Sequence, residues 1–422
     1  MLQTPAGHRQ LVDGVVYRLW PVLSRLAWIH RRTSLRKTRV IAVVGSFGKS
    51  TTTRAVAAAL GLPAPRSLLA NAWGSLALVT LRIRSGPRHA VIEVGIAGRD
   101  QMRLYARMIR PDVTVVTSVG SEHIANFGTL EATRAEKAHM VTALAKSGTA
   151  VLNGDDANVM WMKERTPARV ITFGFGAGCD VRAEDVQVEW PRGTRFRLRA
   201  FGQEREVTVR LIGRHMIYPA LAAIAVAQLE GVPLDTALSR LRALAPTPGR
   251  MEPMPLPNGA FVLRDEYKST LETIHAALDV FAEIPARRRI VLLGDVTELP
   301  PPQRPIYQSL GGRAARMASY LVVVGDGLRR YRSGARRAGM PREAVIAGGP
   351  APQQTAQVLA QILQPGDVVL IKGRRNQRLD RVRMILQGRR VMCDIRFCDL
   401  RTVDCEDCPM LETGWTKHRV II

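Results

Sequence analysis

Short apolar runs alternate with helix-like stretches along the first half of the chain. Each run is rich in valine, isoleucine or threonine, as expected for strands buried on both faces of a parallel sheet. The runs occupy 40–44, 89–94, 113–117, 149–152 and 170–173. Longer segments with apolar residues at helical spacing separate them. The pattern predicts a doubly wound α/β domain with a mostly parallel sheet over residues 40–247.

Two later segments show a different periodicity. Residues 194–201 and 206–211 alternate apolar and polar side chains on either side of Gly202-Gln203. A period of two is typical of a half-exposed strand, and a glycine between two such strands favours a tight turn. We expect an antiparallel hairpin inserted in the first domain.

A second alternating set follows residues 247–250, whose Thr-Pro-Gly-Arg sequence is typical of a hinge. We expect a C-terminal Rossmann-like α/β domain over 248–390, followed by a Cys-rich tail over 391–422. The predicted strands lie at 261–263, 290–293, 320–324 and 367–372, and a helix is predicted over 271–281. The domain carries no clear Gly-x-Gly-x-x-Gly fingerprint of a dinucleotide site.

The first predicted strand leads directly into a phosphate-loop sequence. The loop reads Gly45, Ser46, Phe47, Gly48, Lys49, Ser50 and Thr51. Its glycines permit a tight turn with inward N–H groups, the lysine can reach terminal phosphates, and the Ser50 hydroxyl can bind Mg²⁺. A helix predicted over 51–60 directs its positive N-terminus at the same anion. Because Val43 replaces the first glycine of the full Walker pattern, the strand-loop-helix context carries the prediction of an ATP site.

Residues 1–39 combine eight basic side chains with the single acid Asp13. Apolar residues recur there at helical spacing, and Trp20 and Trp28 lie among them. A basic amphipathic helix of this kind favours docking, through residues 9–39, on an anionic membrane surface or a membrane-bound partner. The alternative is an apolar stripe that packs on the protein's own core.

The chain of 422 residues has a formal net charge of +25. This excess of lysine and arginine favours anionic partners, or it forms a solvated, Arg-rich surface. Aromatic residues make up only 5% of the chain and are not interleaved with basic blocks, so nucleic acid is not favoured as a partner. No run of roughly 18 apolar residues occurs, and no signal peptide is evident. Together with the ATP loop, this predicts a cytoplasmic protein, peripheral to the inner face of the membrane if residues 9–39 bind it.

Four of the five cysteines lie close together near the C-terminus, at Cys393, Cys398, Cys405 and Cys408. Four thiolates can complete a tetrahedral zinc site, and the final Cys-x2-Cys spacing is typical of one half of such a site. We therefore predict a structural Zn²⁺ there. Free structural or redox cysteines, or an iron–sulfur cluster, are the alternatives.

An ordered set of motifs between residues 40 and 385 resembles the Mur ligases, the ATP-dependent amide-forming enzymes of peptidoglycan assembly. The resemblance is greatest to the MurF type, which adds D-alanyl-D-alanine. Besides the phosphate loop, the motifs are Val91-Ile-Glu-Val-Gly95, His123-Ile-Ala-Asn-Phe-Gly128 with Lys137, Asn153-Gly-Asp-Asp156, Gly213-Arg-His215, Pro248-Gly-Arg250, Asp265-Glu-Tyr267 and Lys372-Gly-Arg374. Each motif is short, and the resemblance rests on their common order and spacing.

The resemblance implies that ATP converts a carboxylate to an acyl phosphate, which an amine attacks, giving ADP and phosphate. It assigns the phosphates to residues 45–51, and Mg²⁺ to Ser50, Glu93 and His123. Lys137 matches a lysine that many Mur ligases carry as a carbamate bridging to a second Mg²⁺. The remaining implied contacts are Arg250 with the nucleotide phosphates, Asp265 and Tyr267 with ATP, and Lys372 and Arg374 with the acceptor amine. The implied catalytic set is Lys49, His123, Lys137 and Arg250.

This chain departs from the family at its N-terminus. The usual domain that grips the UDP-sugar is expected to be absent, because only residues 1–39 precede the first strand. We therefore expect an ATP-dependent ligase for small-molecule carboxylate and amine substrates. One alternative is MurF-type synthesis of a peptidoglycan precursor, and another is a non-catalytic, nucleotide-regulated scaffold at a membrane. The implied catalytic set argues against a scaffold, because a nucleotide switch does not require a complete ligase site.

Overall fold

The computed structural model describes residues 5–63, 71–122, 124–398, 400 and 403–414, apart from the side chains of residues 5, 6, 9, 10 and 125. The chain divides into two compact units. The larger unit is Val12–Ala245, and the smaller is Pro246–Ile422 with Met1–Leu11. Each contains one sheet with helices, so the α/β class predicted from the sequence is confirmed.

Eight strands form the sheet of the larger unit. They are β1 (Arg39–Val44), β2 (His89–Glu93), β3 (Val113–Val116), β4 (Thr149–Asn153), β5 (Arg169–Gly174), β6 (Val181–Glu189), β7 (Gly193–Ala200) and β8 (Gln203–Val209). Their order is β2-β1-β3-β4-β5-β6-β7-β8. The strands from β2 to β6 pair in parallel, whereas β6, β7 and β8 pair antiparallel. The side chains from Val40 to Val44 are fully buried, as expected for a central parallel strand covered on both faces.

The predicted hairpin is present, and it extends the main sheet. Its turn lies one residue earlier than the sequence suggested, because Ala200 pairs with Gln203. Phe201 and Gly202 both have positive φ, of 50° and 74°, as a two-residue type I′ turn requires. Buried and more exposed side chains alternate along β7, which agrees with the predicted half-exposed strand.

Among the described residues, ten α-helices precede or cover this sheet. They are α1 (Pro5–Arg18), α2 (Trp20–Arg32), α3 (Lys49–Ala59), α4 (Trp73–Leu81), α5 (Gln101–Ile109), α6 (Ile124–Phe127), α7 (Leu130–Thr142), α8 (Ala157–Met160), α9 (Tyr218–Leu229) and α10 (Leu234–Ala243). Helix α9 is apolar on all sides, and every residue from Pro219 to Ala227 is buried. Its alanines allow it to pack closely on α3, the helix that follows the phosphate loop.

The predicted N-terminal amphipathic helix is two helices, α1 and α2, which break at Leu19. One face of α2 belongs to the core of the larger unit, because Ala27 is fully buried there and Trp20 and Leu23 pack against the same cluster. The guanidinium of Arg31 donates to the Asp112 carboxylate at 2.8 Å. In the described ranges, no helix is long and apolar enough to cross a bilayer.

The smaller unit has a six-stranded sheet. Its strands are β9 (Glu252–Pro255), β10 (Phe261–Asp265), β11 (Arg289–Leu293), β12 (Tyr320–Val323), β13 (Val345–Ala347) and β14 (Val368–Lys372). Their order is β13-β12-β11-β14-β10-β9, with only β9 antiparallel to its neighbour. Its helices are α11 (Leu271–Glu283), α12 (Gln303–Ala315), α13 (Leu328–Arg337), α14 (Pro352–Ile362) and α15 (Asp380–Leu386). The predicted Rossmann-like arrangement is confirmed.

Candidate active site

The phosphate loop connects β1 to α3 through two glycines that no other residue can replace without strain. Gly45 has a φ of 146°, and a Cβ there would lie 2.0 Å from Oγ1 of Thr117. Gly48, at the N-cap of α3, is in the left-handed region with a φ of 80°. Because glycine has no side chain, the positive N-terminus of α3 is left accessible to an anion. This geometry fits the terminal phosphates of a nucleotide.

The first half of the loop is held by Ser118, which sequence reasoning missed. The N–H of Ser46 donates to the Ser118 carbonyl oxygen at 2.8 Å, and the N–H of Phe47 donates to the Ser118 hydroxyl at 2.9 Å. The N–H groups of Ser46 and Phe47 are therefore already used, and fewer loop N–H groups than predicted can bind phosphate. The remaining N–H groups lie in the second half of the loop, from Gly48 onward, where Thr51 is already buried in α3.

Lys49 is the first residue of α3 and is 9% exposed. Its ammonium donates to the carbonyl oxygens of Gly45 and Ser46, at 2.7 and 3.1 Å. It also forms an ion pair with the carboxylate of Glu122 at 3.2 Å. The lysine thus lies at the loop, as the motif predicts, with its charge directed at the phosphate-binding turn.

Lys137 reaches the same turn from α7. It is only 2% exposed, and its ammonium donates to the Gly45 carbonyl oxygen at 3.2 Å. Burial, together with the positive charge of Lys49, lowers the pKa of Lys137 well below its ordinary value. The structure therefore brings together two lysines that lie 88 positions apart in the sequence.

Glu93 ends β2, next to β1 in the sheet, so it lies at the same carboxyl edge as the phosphate loop. Its Oε1 accepts a hydrogen bond from Nδ2 of Asn71 at 2.8 Å. Its Oε2 is buried and has no hydrogen-bond partner among the described residues. An unpaired buried carboxylate oxygen is costly, and a hard cation such as Mg²⁺ would satisfy it. The donor set thus fits the predicted role of Glu93, with Asn71 as a positioning residue that the sequence analysis did not identify.

The structure describes only one of the other two predicted Mg²⁺ ligands. Ser50 lies in the first turn of α3 and is half-buried. His123 lies outside the described residues. Its neighbour Glu122 follows β3, which also borders β1.

The Asn153-Gly-Asp-Asp156 motif supports the loop that follows β3. Nδ2 of Asn153 donates to the Thr117 carbonyl oxygen at 2.9 Å. The Asp156 carboxylate accepts from the N–H of Val119 at 2.8 Å and also caps α8. Since this loop supplies Ser118, the motif positions the phosphate loop indirectly.

In the smaller unit, Asp265 and Lys372 form a buried ion pair at the ends of two adjacent strands. The Lys372 ammonium lies 2.6 Å from Oδ2 of Asp265 and 2.6 Å from the Lys268 carbonyl oxygen. Lys372 is 1% exposed. In this geometry Lys372 positions Asp265, and its predicted contact with an acceptor substrate stays a prediction.

Tyr267 lies close to two arginines of the same unit. The guanidinium of Arg250 lies 4.5 Å from the centre of its ring, and that of Arg375 lies 5.1 Å away. These cation–π contacts fix the ring. The neighbouring Arg374 is half-buried, and its N–H donates to the side chain of Gln377 at 3.1 Å. The predicted contacts of Arg250, Asp265 and Tyr267 with the nucleotide, and of Arg374 with the acceptor, stay predictions.

The structure does not support the predicted zinc site. In the described part of the chain, no three or more His, Cys, Asp or Glu side chains are arranged to hold a metal ion. Cys393 and Cys398 pack in one apolar cluster, whereas Cys405 packs in another with Met384 and Leu411. Burial raises the pKa of the thiols of Cys405 and Cys408, as expected for cysteines in apolar surroundings. The alternative of free structural cysteines is favoured.

Comparison with known proteins agrees with this fold. The Mur ligase middle domain family matches residues 43–227, and the Mur ligase glutamate ligase domain family matches residues 249–375. A UDP-N-acetylmuramoyl-tripeptide–D-alanyl-D-alanine ligase of Mycobacterium tuberculosis is 31% identical over 359 residues, which cover 79% of this chain and 70% of that protein.

Solved structures share the fold. MurF from Acinetobacter baumannii superposes with a TM-score of 0.76 at 22% identity, over 87% of this chain and 80% of that one. MurF from Thermotoga maritima, solved in complex with ADP, gives a TM-score of 0.75 at 22% identity, over 87% and 83% of the two chains. The chain therefore belongs to the Mur ligase family of ATP-dependent ligases, which join a carboxylate to an amine.

Proposed function

We propose that this chain joins the carboxylate of a peptidoglycan precursor to the amine of a dipeptide, with UDP-N-acetylmuramoyl-tripeptide and D-alanyl-D-alanine as the first pair to test. The convergence of Lys49 and Lys137 on the Gly45 carbonyl oxygen carries the proposal of a ligase. The printed names of its relatives support the choice of substrates. We place the reaction in the cytoplasm, where ATP is available.

Each site residue has a role in carboxylate activation. Lys49 stabilises the negative charge that develops on the transferring phosphoryl group, and the N-terminus of α3 orients the phosphates. Ser50, Glu93 and His123 would hold Mg²⁺, which neutralises phosphate charge when it is bound. Ser118 and Asn71 keep the loop and Glu93 in place through the hydrogen bonds described above.

Lys137 is proposed to act as a carbamate. In carbamate formation a neutral amine attacks CO₂ and its nitrogen releases one proton to solvent, and burial of Lys137 favours the neutral amine. The product is an anionic group with two oxygens, which resembles a carboxylate and so can bind a second Mg²⁺.

The test is amide synthesis by the full chain. The chain is incubated with Mg-ATP, the tripeptide precursor and D-alanyl-D-alanine, and the product is identified by mass spectrometry. We expect a product heavier than the precursor by one dipeptide less one water, together with equimolar ADP. If neither this pair nor a panel of dipeptides and amino acids gives an amide, the peptidoglycan assignment fails.

We also propose that α1 and α2 place the enzyme on an anionic membrane surface. Thirteen large apolar side chains are exposed among the described residues, and nine of them lie between 11 and 29. They are Leu11, Val12, Val15, Tyr17, Leu19, Val22, Leu26, Trp28 and Ile29. The exposed cations of Arg18, Arg25, Arg36 and Lys37 lie on the same segment. Exposed apolar and aromatic side chains beside cations match the interface of an acidic bilayer.

Truncation is a poor test of this surface, because Ala27 and Arg31 of α2 belong to the fold. Vesicle co-sedimentation should instead compare the full chain with Val22→Glu/Leu26→Glu. We expect the wild type to bind vesicles that contain phosphatidylglycerol, and the double variant to lose that binding. Leu104→Glu changes an exposed leucine elsewhere, 41% accessible, and should bind like the wild type. Equal sedimentation of all three proteins would refute the membrane proposal.

A further inference from the structure

Glu122 is a buried carboxylate at the phosphate loop to which the family resemblance gave no role. It follows β3, on the same segment as Ser118, and is 9% exposed. Its Oε2 lies 3.2 Å from the ammonium of Lys49. This buried ion pair involves the lysine that must reach the phosphates, so it affects nucleotide binding directly.

The described contacts of Lys49 are already enough to use all the hydrogen-bond donors of an ammonium group. Lysine has three N–H donors and no acceptor. Its described acceptors are the Gly45 and Ser46 carbonyl oxygens and the Glu122 carboxylate. A phosphate that contacts this ammonium must therefore share it with an acceptor already present.

Glu122 differs from the other two acceptors because it carries a negative charge. The carbonyl oxygens belong to the phosphate loop itself, whereas the carboxylate comes from another segment. A phosphate beside Lys49 would also lie close to Glu122, in a buried place where water screens their repulsion poorly. A divalent cation bound with the phosphates would offset that repulsion.

We infer that Glu122 competes with the phosphates for Lys49 and thereby makes nucleotide binding depend on a divalent cation. This inference rests on the proposed function, in which the loop binds nucleotide together with Mg²⁺. Glu122 is a positioning residue in this scheme, because it acts through Lys49. This role also predicts that removal of the Glu122 charge increases the affinity for metal-free nucleotide more than the affinity for the metal complex.

The experiment measures the Kd of ADP by calorimetry, once with excess Mg²⁺ and once with EDTA, for the full chain and two variants. Glu122→Gln keeps the shape and an acceptor oxygen but removes the charge. We expect the ratio of the EDTA Kd to the Mg²⁺ Kd to fall by about tenfold or more, because metal-free ADP binds more tightly. Glu131→Gln makes the same chemical change at an exposed site on α7 and should leave the ratio unchanged.

Four cases decide the question. An unchanged ratio in folded Glu122→Gln would overturn the inference, and so would weaker Mg·ADP binding with unaltered metal-free binding, which would make Glu122 a metal ligand. If Glu122→Gln does not fold, Glu122→Asp retains the charge and must retain the wild-type ratio. Failure of the wild type to bind ADP in either buffer would overturn the nucleotide site itself, which distinguishes that failure from a failure of the Glu122 inference.

Discussion

The ammonium groups of Lys49 and Lys137 donate to one acceptor, the carbonyl oxygen of Gly45, at 2.7 and 3.2 Å. Two ammonium groups that share one oxygen would repel each other, and the charge of Lys49 is one cause of the lowered pKa of Lys137. The neutral form of Lys137 is therefore favoured, and Lys49 supplies the positive charge at the end of β1. It suits a site where the negative charge of a transferring phosphoryl group must be stabilised.

Lys49→Ala should reduce amide synthesis severely. The substitution removes a cation from the transferring phosphoryl group, and loss of one such contact typically lowers kcat by about 10²–10³. Steady-state rates of ADP formation provide the measurement. Circular dichroism should show a folded chain. A folded Lys49→Ala variant with a rate within a few-fold of the wild type would contradict the assignment of this loop.

Lys137→Ala should reduce the rate of amide synthesis to a similar extent, but this loss should be partly reversible. If Lys137 acts as a carbamate, a short carboxylate such as acetate or formate can occupy the space left by the side chain. We expect added carboxylate to restore part of the rate in Lys137→Ala, and none in Lys49→Ala, which serves as the matched control. A non-catalytic nucleotide-binding scaffold would be insensitive to Lys137.

The free energy of unfolding of the wild type should increase with pH because of the titration of Lys137. Its pKa in the folded chain is lowered, whereas in the unfolded chain it returns to about 10.4. Between these two pKa values the unfolded chain binds more protons, so the free energy of unfolding increases with pH, by at most about 1.4 kcal/mol per unit. Lys137→Met removes this dependence.

Urea unfolding in CO₂-depleted buffer between pH 7 and pH 10 measures the effect. The free energy of unfolding of the wild type should increase relative to that of Lys137→Met as the pH rises. A difference between the two proteins that stays constant over this range would show that Lys137 titrates normally.

The Asp265–Lys372 pair should stabilise the smaller unit. Lys372→Met leaves the Asp265 carboxylate buried without its cation, and loss of one partner of a buried pair typically costs about 3–5 kcal/mol. The double variant Lys372→Met/Asp265→Asn should lose less than the sum of the two single losses, because neither charge then remains. Chemical denaturation of the four proteins gives the coupling energy. Strict additivity would mean that the pair contributes nothing.

The sequence predicted the strands and the phosphate loop because both depend on local pattern. Valine-rich runs and the positions of Gly45, Gly48 and Lys49 are visible without a structure. Ser118, Asn71 and Glu122 were missed because their roles depend on which strands are neighbours. Parallel pairing in the order β2-β1-β3 places the carboxyl ends of these strands beside one another.

The zinc prediction lacks support for a related reason. Cys-x2-Cys spacing suggests zinc, yet the sequence does not reveal that Cys393 and Cys405 pack in separate apolar clusters. The N-terminal segment was ambiguous for another reason. Its periodicity is the same whether an apolar face meets the core or solvent, and the structure contains both kinds of face.

Transfer of ¹⁸O from the carboxylate substrate tests the central claim most directly. When the carboxylate attacks the γ-phosphorus and the amine then displaces phosphate from the acyl phosphate, one carboxylate oxygen leaves in the inorganic phosphate. With precursor labelled in its reacting carboxylate, we predict one ¹⁸O in each phosphate released during amide formation. Amide formation with unlabelled phosphate, or with the label in AMP, would contradict activation of the carboxylate as an acyl phosphate.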